Sequence, residues 1–295
     1  MSETPQKLDR LFLSVGAMKA GTTWLHRHLA GHPGIHFSPE KEIHYFADPQ
    51  GRSYMSLAGR LDRYQRVVRN LAPDRLNPHV QRNLAWYADP YLAPQVDDAW
   101  YRGLFDMRPP RKSDAPWVAD FSNLYAVLDG EGWAHVGRVA REVRAIYTMR
   151  HPSARLWSSL KFSYEYSGRA AELARLDEAT IAAYFDDPGT RAHADYARVV
   201  QSLRHHLGAD RAAFFFFEQV RAHPLETLRR IEGFLDLPEH QYRQDALEAR
   251  INPSREMGVP PAFLDRAEAI RAEQVARLGD LGLDVPDSWH IPLGE

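Results

Sequence analysis

Ser14-Val15-Gly16-Ala17-Met18-Lys19-Ala20-Gly21-Thr22-Thr23-Trp24 is a glycine-bounded segment with one lysine in its middle. An apolar run, Leu11 to Val15, enters it, and a helical pattern with Trp24, Leu25, His28 and Leu29 leaves it, so the order is strand, loop, helix. A glycine-bounded loop in that setting offers successive backbone N–H groups and a helix N-terminus to an anion, and glycine allows close approach with no Cβ in the way. The spacing is informative. A nucleotide triphosphatase loop runs G-x-x-x-x-G-K-[ST]. Gly16 and Gly21 keep the glycine spacing, but Thr22 stands in the lysine's place and Lys19 precedes Gly21 by two residues. A lysine inside the loop lies beside the bridging oxygen of a bound phosphate ester, where it neutralises a leaving group with less need of a metal.

Composition sets the bounds. A chain of 295 residues can bury a full core, and it carries no Ser/Gly linker, repeat or charge block, so one domain over 1–295 is expected, with a core at about 10–260 and a C-terminal lid over about 256–295. The net charge of −2 gives no global basic field of the kind that binds nucleic acid non-specifically; any anion site is local. Five of the 37 basic residues are lysines (Lys7, Lys19, Lys41, Lys112 and Lys161), and two of these, Lys19 and Lys41, fall in the motifs described here. The absence of cysteine excludes disulfides and thiolate chemistry. Met1 to Arg10 is polar and lacks an apolar signal core, and no apolar run approaches the roughly 20 residues of a membrane span, so a soluble, cytoplasmic protein is expected.

Further along, Ile35-His36-Phe37 reads as a second strand. In an extended Pro39–Phe46 segment Glu42 and His44 would share a face, placing two proton acceptors side by side. Leu57, Leu61, Tyr64, Val67, Val68 and Leu71 recur with helical spacing. The dense aromatics Trp86, Tyr87, Tyr91, Trp100, Tyr101 and Phe105 read as core in preference to a pocket lining. Trp117–Ser122, Val143–Met149 and Ala212–Glu218 read as strands. Val136–Arg141, a helix capped by Ser153 and running to about Tyr166, Glu178–Phe185, His193–Leu207, Pro224–Leu235 and Pro260–Leu281 read as helices. Strands apolar on both faces, alternating with helices, predict an α/β fold with a central parallel sheet flanked by helices, whose ligands sit at the carboxyl ends of the strands.

Arg150-His151-Pro152-Ser153-Ala154-Arg155-Leu156-Trp157-Ser158 joins a strand-terminal arginine to a helical serine eight residues on. Arg155 and Ser158, three apart, share a helix face, as do Ser158 and Lys161. Arginine supplies a fork for phosphate oxygens and serine a hydroxyl donor, which makes a second phosphate site; the alternative is an Arg150–carboxylate pair and a solvent-facing Ser158.

These residues together resemble a known family. Gly16 to Trp24 resembles the 5′-phosphosulfate loop of sulfotransferases that use 3′-phosphoadenosine 5′-phosphosulfate (PAPS), and Arg150 to Ser158 resembles their 3′-phosphate motif. Lys41-Glu42-Ile43-His44-Tyr45-Phe46 is similar to the segment that holds the catalytic Glu and a nearby His in heparan-sulfate-type and many bacterial sulfotransferases. Phe217-Glu218, with His223-Pro224 and Ile231 to Leu235, resembles the last strand and helix of that family. The likeness covers residues 10 to 260.

It implies a P-loop-like three-layer fold, PAPS as co-substrate with 3′-phosphoadenosine 5′-phosphate (PAP) as product, and no metal. By the same likeness Lys19, Ala20, Gly21, Thr22, Thr23, Trp24, Arg150, Ser158 and, in Asn252-Pro253-Ser254-Arg255, Arg255 would hold the donor. Lys19, Glu42 and His44 would be catalytic, Glu42 as general base with His44 as the second choice because an imidazole's ordinary pKa lies nearer neutrality. Two departures stand out. Phe121 occupies the place of a lysine in the glycan enzymes, which weakens the expectation of a polysaccharide acceptor, and Ala47 replaces an Asp of some relatives, with Asp48 adjacent.

The expected activity is in-line transfer of a sulfuryl group to a hydroxyl, with an amine second, on a small-molecule, lipid or glycan acceptor. The competing readings are a P-loop kinase or triphosphatase and a non-catalytic nucleotide-binding protein. Acceptor identity and oligomeric state are not written in the sequence.

Overall fold

The structure is a computed structural model that describes residues 7–72, 76–106, 116–249 and 257–293. Its centre is a five-stranded parallel sheet of β1 (Leu8–Ser14), β2 (Ile35–Phe37), β3 (Trp117–Phe121), β4 (Ala140–Met149) and β5 (Ala212–Phe216), in the order β2-β3-β1-β4-β5. Leu11 to Ser14 pair in register with Val118 to Phe121, and Ile35 to Phe37 with Trp117 to Ala119. All of β3 and the last four residues of β1 are buried, as expected of strands covered on both faces.

The helices are α1 (Thr22–Leu29), α2 (Leu57–Arg69), α3 (Pro78–Trp86), α4 (Asp98–Gly103), α5 (Gly130–Val139), α6 (Pro152–Tyr166), α7 (Glu178–Asp186), α8 (Pro188–Ala194), α9 (Tyr196–Leu207), α10 (Phe217–Ala222), α11 (Pro224–Phe234), α12 (Gln244–Leu247) and α13 (Pro261–Asp280). The chain divides into two compact units, one formed by Met1–Val15 and Leu29–Ala145, the other by Gly16–His28 and Ile146–Glu295.

In the first unit the aromatics predicted as core are core: Trp86, Tyr87, Tyr91, Trp100, Tyr101 and Phe105 are all buried, and Tyr45 stacks on Tyr101 at 4.7 Å. Beneath them lies a wholly buried carboxylate, Asp120, which accepts from Tyr101 Oη (3.0 Å), Tyr125 Oη (2.7 Å) and Ser122 Oγ (2.7 Å). Helix α2 forms where the periodicity places it, but its apolar stripe does not face the core. Leu57, Leu61 and Val68 are exposed, while Arg60 is only 1% exposed. Arg60 is held by backbone carbonyls, Nε donating to Met55 O and Nη1 to Ala93 O, both at 2.9 Å, with its guanidinium over the Trp100 ring at 5.3 Å. A buried charge that finds its acceptors in a distant loop overrides the orientation hydrophobic spacing alone predicts.

In the second unit α6, α7 and α13 share one core of Leu156, Trp157, Leu160, Ile181, Phe185, Phe263 and Ala267. The segment expected as a lid therefore also packs inward, and after α13 the chain returns to bury Trp289 completely against Phe216 and Tyr196. Several boundaries differ from the sequence expectation: Phe217 and Glu218, read as the end of a strand, open α10, and His193, read as the start of a helix, lies in α8 with α9 beginning at Tyr196. Residues Val136–Val139 close a helix that begins at Gly130, and Ala140 is already extended and opens β4. The cap of α6 is His151, not Ser153, because Pro152 takes the first helical position, where its missing N–H costs nothing; Ser153 is buried inside the first turn.

Candidate functional site

The loop after β1 is shaped by its backbone. Gly16 (φ 131°), Lys19 (φ 70°) and Gly21 (φ 85°) all take positive φ, a conformation that L side chains other than glycine rarely hold. Gly21 has a second constraint: a Cβ there would lie 2.8 Å from Phe217 Cδ2. The loop is tied to the end of β4, with Ala17 N donating to Thr148 O at 2.7 Å and Thr148 N to Gly16 O at 2.9 Å. Thr22 opens α1; Trp24 and Leu25 both donate to the Gly21 carbonyl (2.9 and 3.2 Å), and Ala20 N donates to Ala17 O (3.2 Å), so these three amides are taken within the segment itself. Trp24 lies at 4.0 Å against the His28 ring, which is held by contacts to Trp24 O (2.8 Å) and Ala246 O (3.1 Å).

The Lys19 ammonium sits over the face of Phe162 at 4.6 Å and makes no salt bridge among the described residues. Burial lowers its pKa, with Glu165 opposing and Arg150 and Lys161 adding to the depression. The second motif meets the loop directly: Arg150, at the end of β4, donates from Nη1 to the Lys19 carbonyl at 3.2 Å and lies over the Phe217 ring at 5.0 Å. Two segments 131 residues apart in sequence are thereby joined at one point.

A cavity of about 660 Å³ opens beside Arg150. Ser158, seven residues into α6, is buried but lies outside that lining, and Arg155 is buried with its guanidinium 5.9 Å from the Tyr196 ring centre and its Nε without a hydrogen-bond partner. Arg255 lies outside the described residues. Glu218, which the sequence places after the last strand, has an architectural part. Its Oε1 accepts from His151 N and its Oε2 from Trp289 Nε1, each at 3.0 Å.

The first unit holds the other candidates. Residues 39–44 are not extended. Glu42 (φ 64°) and His44 (φ 59°) are both left-handed, and a 3₁₀ turn, Tyr45–Ala47, follows. The two side chains nevertheless meet, Glu42 Oε2 lying 3.6 Å from His44 Nε2. The end of β3 fixes them: Glu42 N donates to Phe121 O (3.0 Å), His44 N to Ser122 Oγ (2.9 Å), and Asn123 N to Glu42 Oε2 (2.8 Å). Lys41 Nζ at 2.5 Å and Asn123 Nδ2 at 3.3 Å reach Glu42 Oε1. Arg63 Nη1 donates to Glu40 Oε1 and Glu42 O, both at 3.1 Å. Burial lowers the His44 pKa to about 4, with Glu42 opposing. Burial likewise pushes the Asp120 carboxyl up to about 6 against the hydrogen bonds from Ser122, Tyr125 and Tyr101. Asp48, beside Ala47, which replaces an Asp of some relatives, accepts from Arg52 N, Ser53 N and Met55 N at 2.8–3.0 Å and is a turn residue.

Sequence reasoning missed Arg63 and Asn123. Arg63 belongs to no motif and Asn123 lies two residues after the Phe121 departure; their roles arise from contacts 21 and 81 residues away. Among the described residues no group of three or more His, Asp or Glu side chains could hold a metal ion, and no helix is long and apolar enough to cross a membrane.

A sequence profile described as the sulfotransferase family matches residues 12–241. The chain belongs to the sulfotransferase family. Solved structures agree on the fold of this sulfotransferase. It is similar to a sulfotransferase from Alicyclobacillus acidocaldarius at 21% identity, TM-score 0.63, covering 97% of this chain and 99% of that one. It is similar to the sulfotransferase domain of the Synechococcus PCC 7002 olefin synthase at 21% identity, TM-score 0.55, covering 96% and 98%. It is also similar to the sulfotransferase domain of the curacin biosynthetic pathway at 17% identity, TM-score 0.54, covering 95% and 99%. No curated protein matches the sequence.

Proposed function

We propose that this sulfotransferase moves the sulfuryl group of PAPS to an acceptor hydroxyl, with an amine as the second choice, and releases PAP. The observation that carries the reading is the Arg150–Lys19 contact, which joins the loop suited to a 5′-phosphosulfate to the arginine suited to a 3′-phosphate. A triphosphate needs no such second site. The residues present fit the donor: an ammonium that makes no salt bridge among the described residues, a loop whose Gly16, Lys19 and Gly21 take positive φ, and a tryptophan at the head of α1 for the base. The family match runs through both compact units, which supports treating the chain as one catalytic domain.

Sulfuryl transfer, like phosphoryl transfer, is an in-line displacement in which positioning and charge stabilisation do most of the work. The acceptor oxygen forms a bond to sulfur as the bond from sulfur to the 5′-phosphate oxygen breaks, and that electron pair stays on the phosphate. Lys19 and the loop amides stabilise the growing charge, and Glu42 takes the acceptor's proton. A carboxylate has about four acceptor positions. Three donors from Lys41 and Asn123 occupy Glu42, which orients it and leaves room for one hydroxyl. His44, lowered by burial, is neutral at pH 7 and orients Glu42 in this account.

Incubation with ³⁵S-labelled PAPS and a panel of alcohols, phenols, sugars and amines tests the reading. Label transferred to at least one hydroxyl, with stoichiometric PAP, is expected. Magnesium-dependent phosphoryl transfer from ATP in its place would replace the reading with a kinase.

A further inference from the structure

Arg150 is not the only cation on its cavity. Arg221, on α10, lines the same space and lies over the same aromatic ring, its guanidinium 5.9 Å from the centre of Phe217 against 5.0 Å for Arg150. Arg221 is exposed and makes no hydrogen bond or ion pair among the described residues. It is close enough to Arg150 to add to the lowering of that residue's pKa, which burial dominates and Glu218 opposes. Glu218 also lines the cavity, and its two oxygens each accept one hydrogen bond, from His151 N and from Trp289 Nε1. Two like charges thus face one space with a single carboxylate beside them.

The rest of the wall includes apolar side chains, Ala154, Ala222, Ile291 and Pro292 among them. The C-terminal part of that wall is pinned from both sides. Trp289 is fully buried, and the Ile291 carbonyl meets His151 Nε2 at 3.1 Å. An anion with two negative charges attached to a flat, partly apolar body matches this space: the phosphate satisfies both forks, and Phe217 with the C-terminal wall covers the body.

We propose that Arg221 is a second guanidinium for the 3′-phosphate of the donor nucleotide, sharing it with Arg150 across Phe217. The proposal rests on the PAPS reading and adds a residue to it. It accounts for a feature of the cavity that Ser158 does not, since Ser158 lies outside the lining.

Calorimetric titration of wild type, Arg221→Ala and Arg221→Lys with PAP and with adenosine 5′-phosphate tests it, because the two ligands differ only in the 3′-phosphate. Wild type should prefer PAP. Arg221→Ala should bind PAP roughly tenfold more weakly, the size of one charge-assisted contact, and adenosine 5′-phosphate within about twofold of wild type; Arg221→Lys should recover part of the loss. Arg221 is exposed and makes no hydrogen bond or ion pair among the described residues, so the variants should keep the wild-type melting temperature, and matching thermal melts check this. Binding of PAP to Arg221→Ala within twofold of wild type overturns the assignment while the PAPS reading stands. An equal loss for both ligands also overturns it, since Arg221 would then act elsewhere than at the 3′-phosphate. A wild type that binds PAP no more tightly than adenosine 5′-phosphate overturns the PAPS reading itself.

Discussion

Glu42 and His44 bring their side chains to 3.6 Å from two left-handed residues on either side of Ile43, not from one face of a strand. The pairing is therefore built by strain that the end of β3 holds in place through Phe121 O, Ser122 Oγ and Asn123 N. Non-glycine residues persist in such conformations only where their surroundings over-determine them, and they cluster at functional sites. Among the described residues four non-glycine positions have positive φ, and three of them are Lys19, Glu42 and His44.

Glu42→Gln keeps the size of the side chain and removes the base. Turnover should fall by about 10²–10⁴-fold, the usual span for a general base, while PAP affinity stays within about twofold. Steady-state assays with labelled PAPS, paired with PAP titration, read both quantities; near-normal turnover would sink the base assignment.

Lys19→Gly separates charge from backbone. Glycine relieves the left-handed φ of 70°, so the variant should be at least as stable as wild type in urea. Loss of the ammonium should still weaken PAP binding about tenfold and cut turnover about 10²-fold. A stable variant with unimpaired turnover would show that Lys19 does not meet the leaving phosphate.

Gly21→Ala meets both obstacles at once, a φ of 85° and a Phe217 carbon 2.8 Å from the new Cβ. The backbone term alone should cost about 1–2 kcal/mol, and displacement of Phe217 should weaken PAP binding as well. Denaturant melts and PAP titration of Gly21→Ala beside Gly21→Ala/Phe217→Ala divide the effect, because the second change removes the clash and leaves the strain. Equal stability of Gly21→Ala and wild type would contradict the loop geometry.

Acid titration should expose His44. Its folded pKa of about 4 lies below the ordinary 6.5, so native and unfolded chains are both neutral there above pH 6.5. As pH falls from 6.5 towards 4 the unfolded chain takes up the proton first, and stability is lost. Asp120, raised to about 6 from 3.8, has the opposite sign: its native form takes up the proton first, so it adds stability as pH falls through 6 and withdraws it as pH rises. His44→Asn, which tolerates left-handed backbone, should gain about 3 kcal/mol relative to wild type between pH 7 and 4 in urea unfolding. A pH-independent difference between the two proteins would refute the buried neutral imidazole.

The framework of the fold was legible because local pattern and tertiary burial agree there. The apolar run into Gly16, the short β2, the apolar β5 and the helical spacing of α6 and α13 each carry one signal. What escaped depends on partners far away in sequence. Arg60 faces inward because the carbonyls of Tyr91 and Ala93 receive it, and the spacing of Leu57, Leu61 and Val68 gives no hint of that. Pro152 moved the α6 cap to His151. In the candidate site the residue types of Lys19, Glu42, His44 and Arg150 were readable as chemistry. The turns that aim three of them, the Asn123 and Arg63 contacts and the Arg221 side of the cavity belong to no motif.

The most direct measurement is calorimetric titration of the wild-type chain with PAP in EDTA, beside ATP with magnesium. PAP should bind saturably at one site, without a metal and more tightly than ATP. Binding of ATP that requires magnesium, with no response to PAP in EDTA, would contradict the PAPS reading.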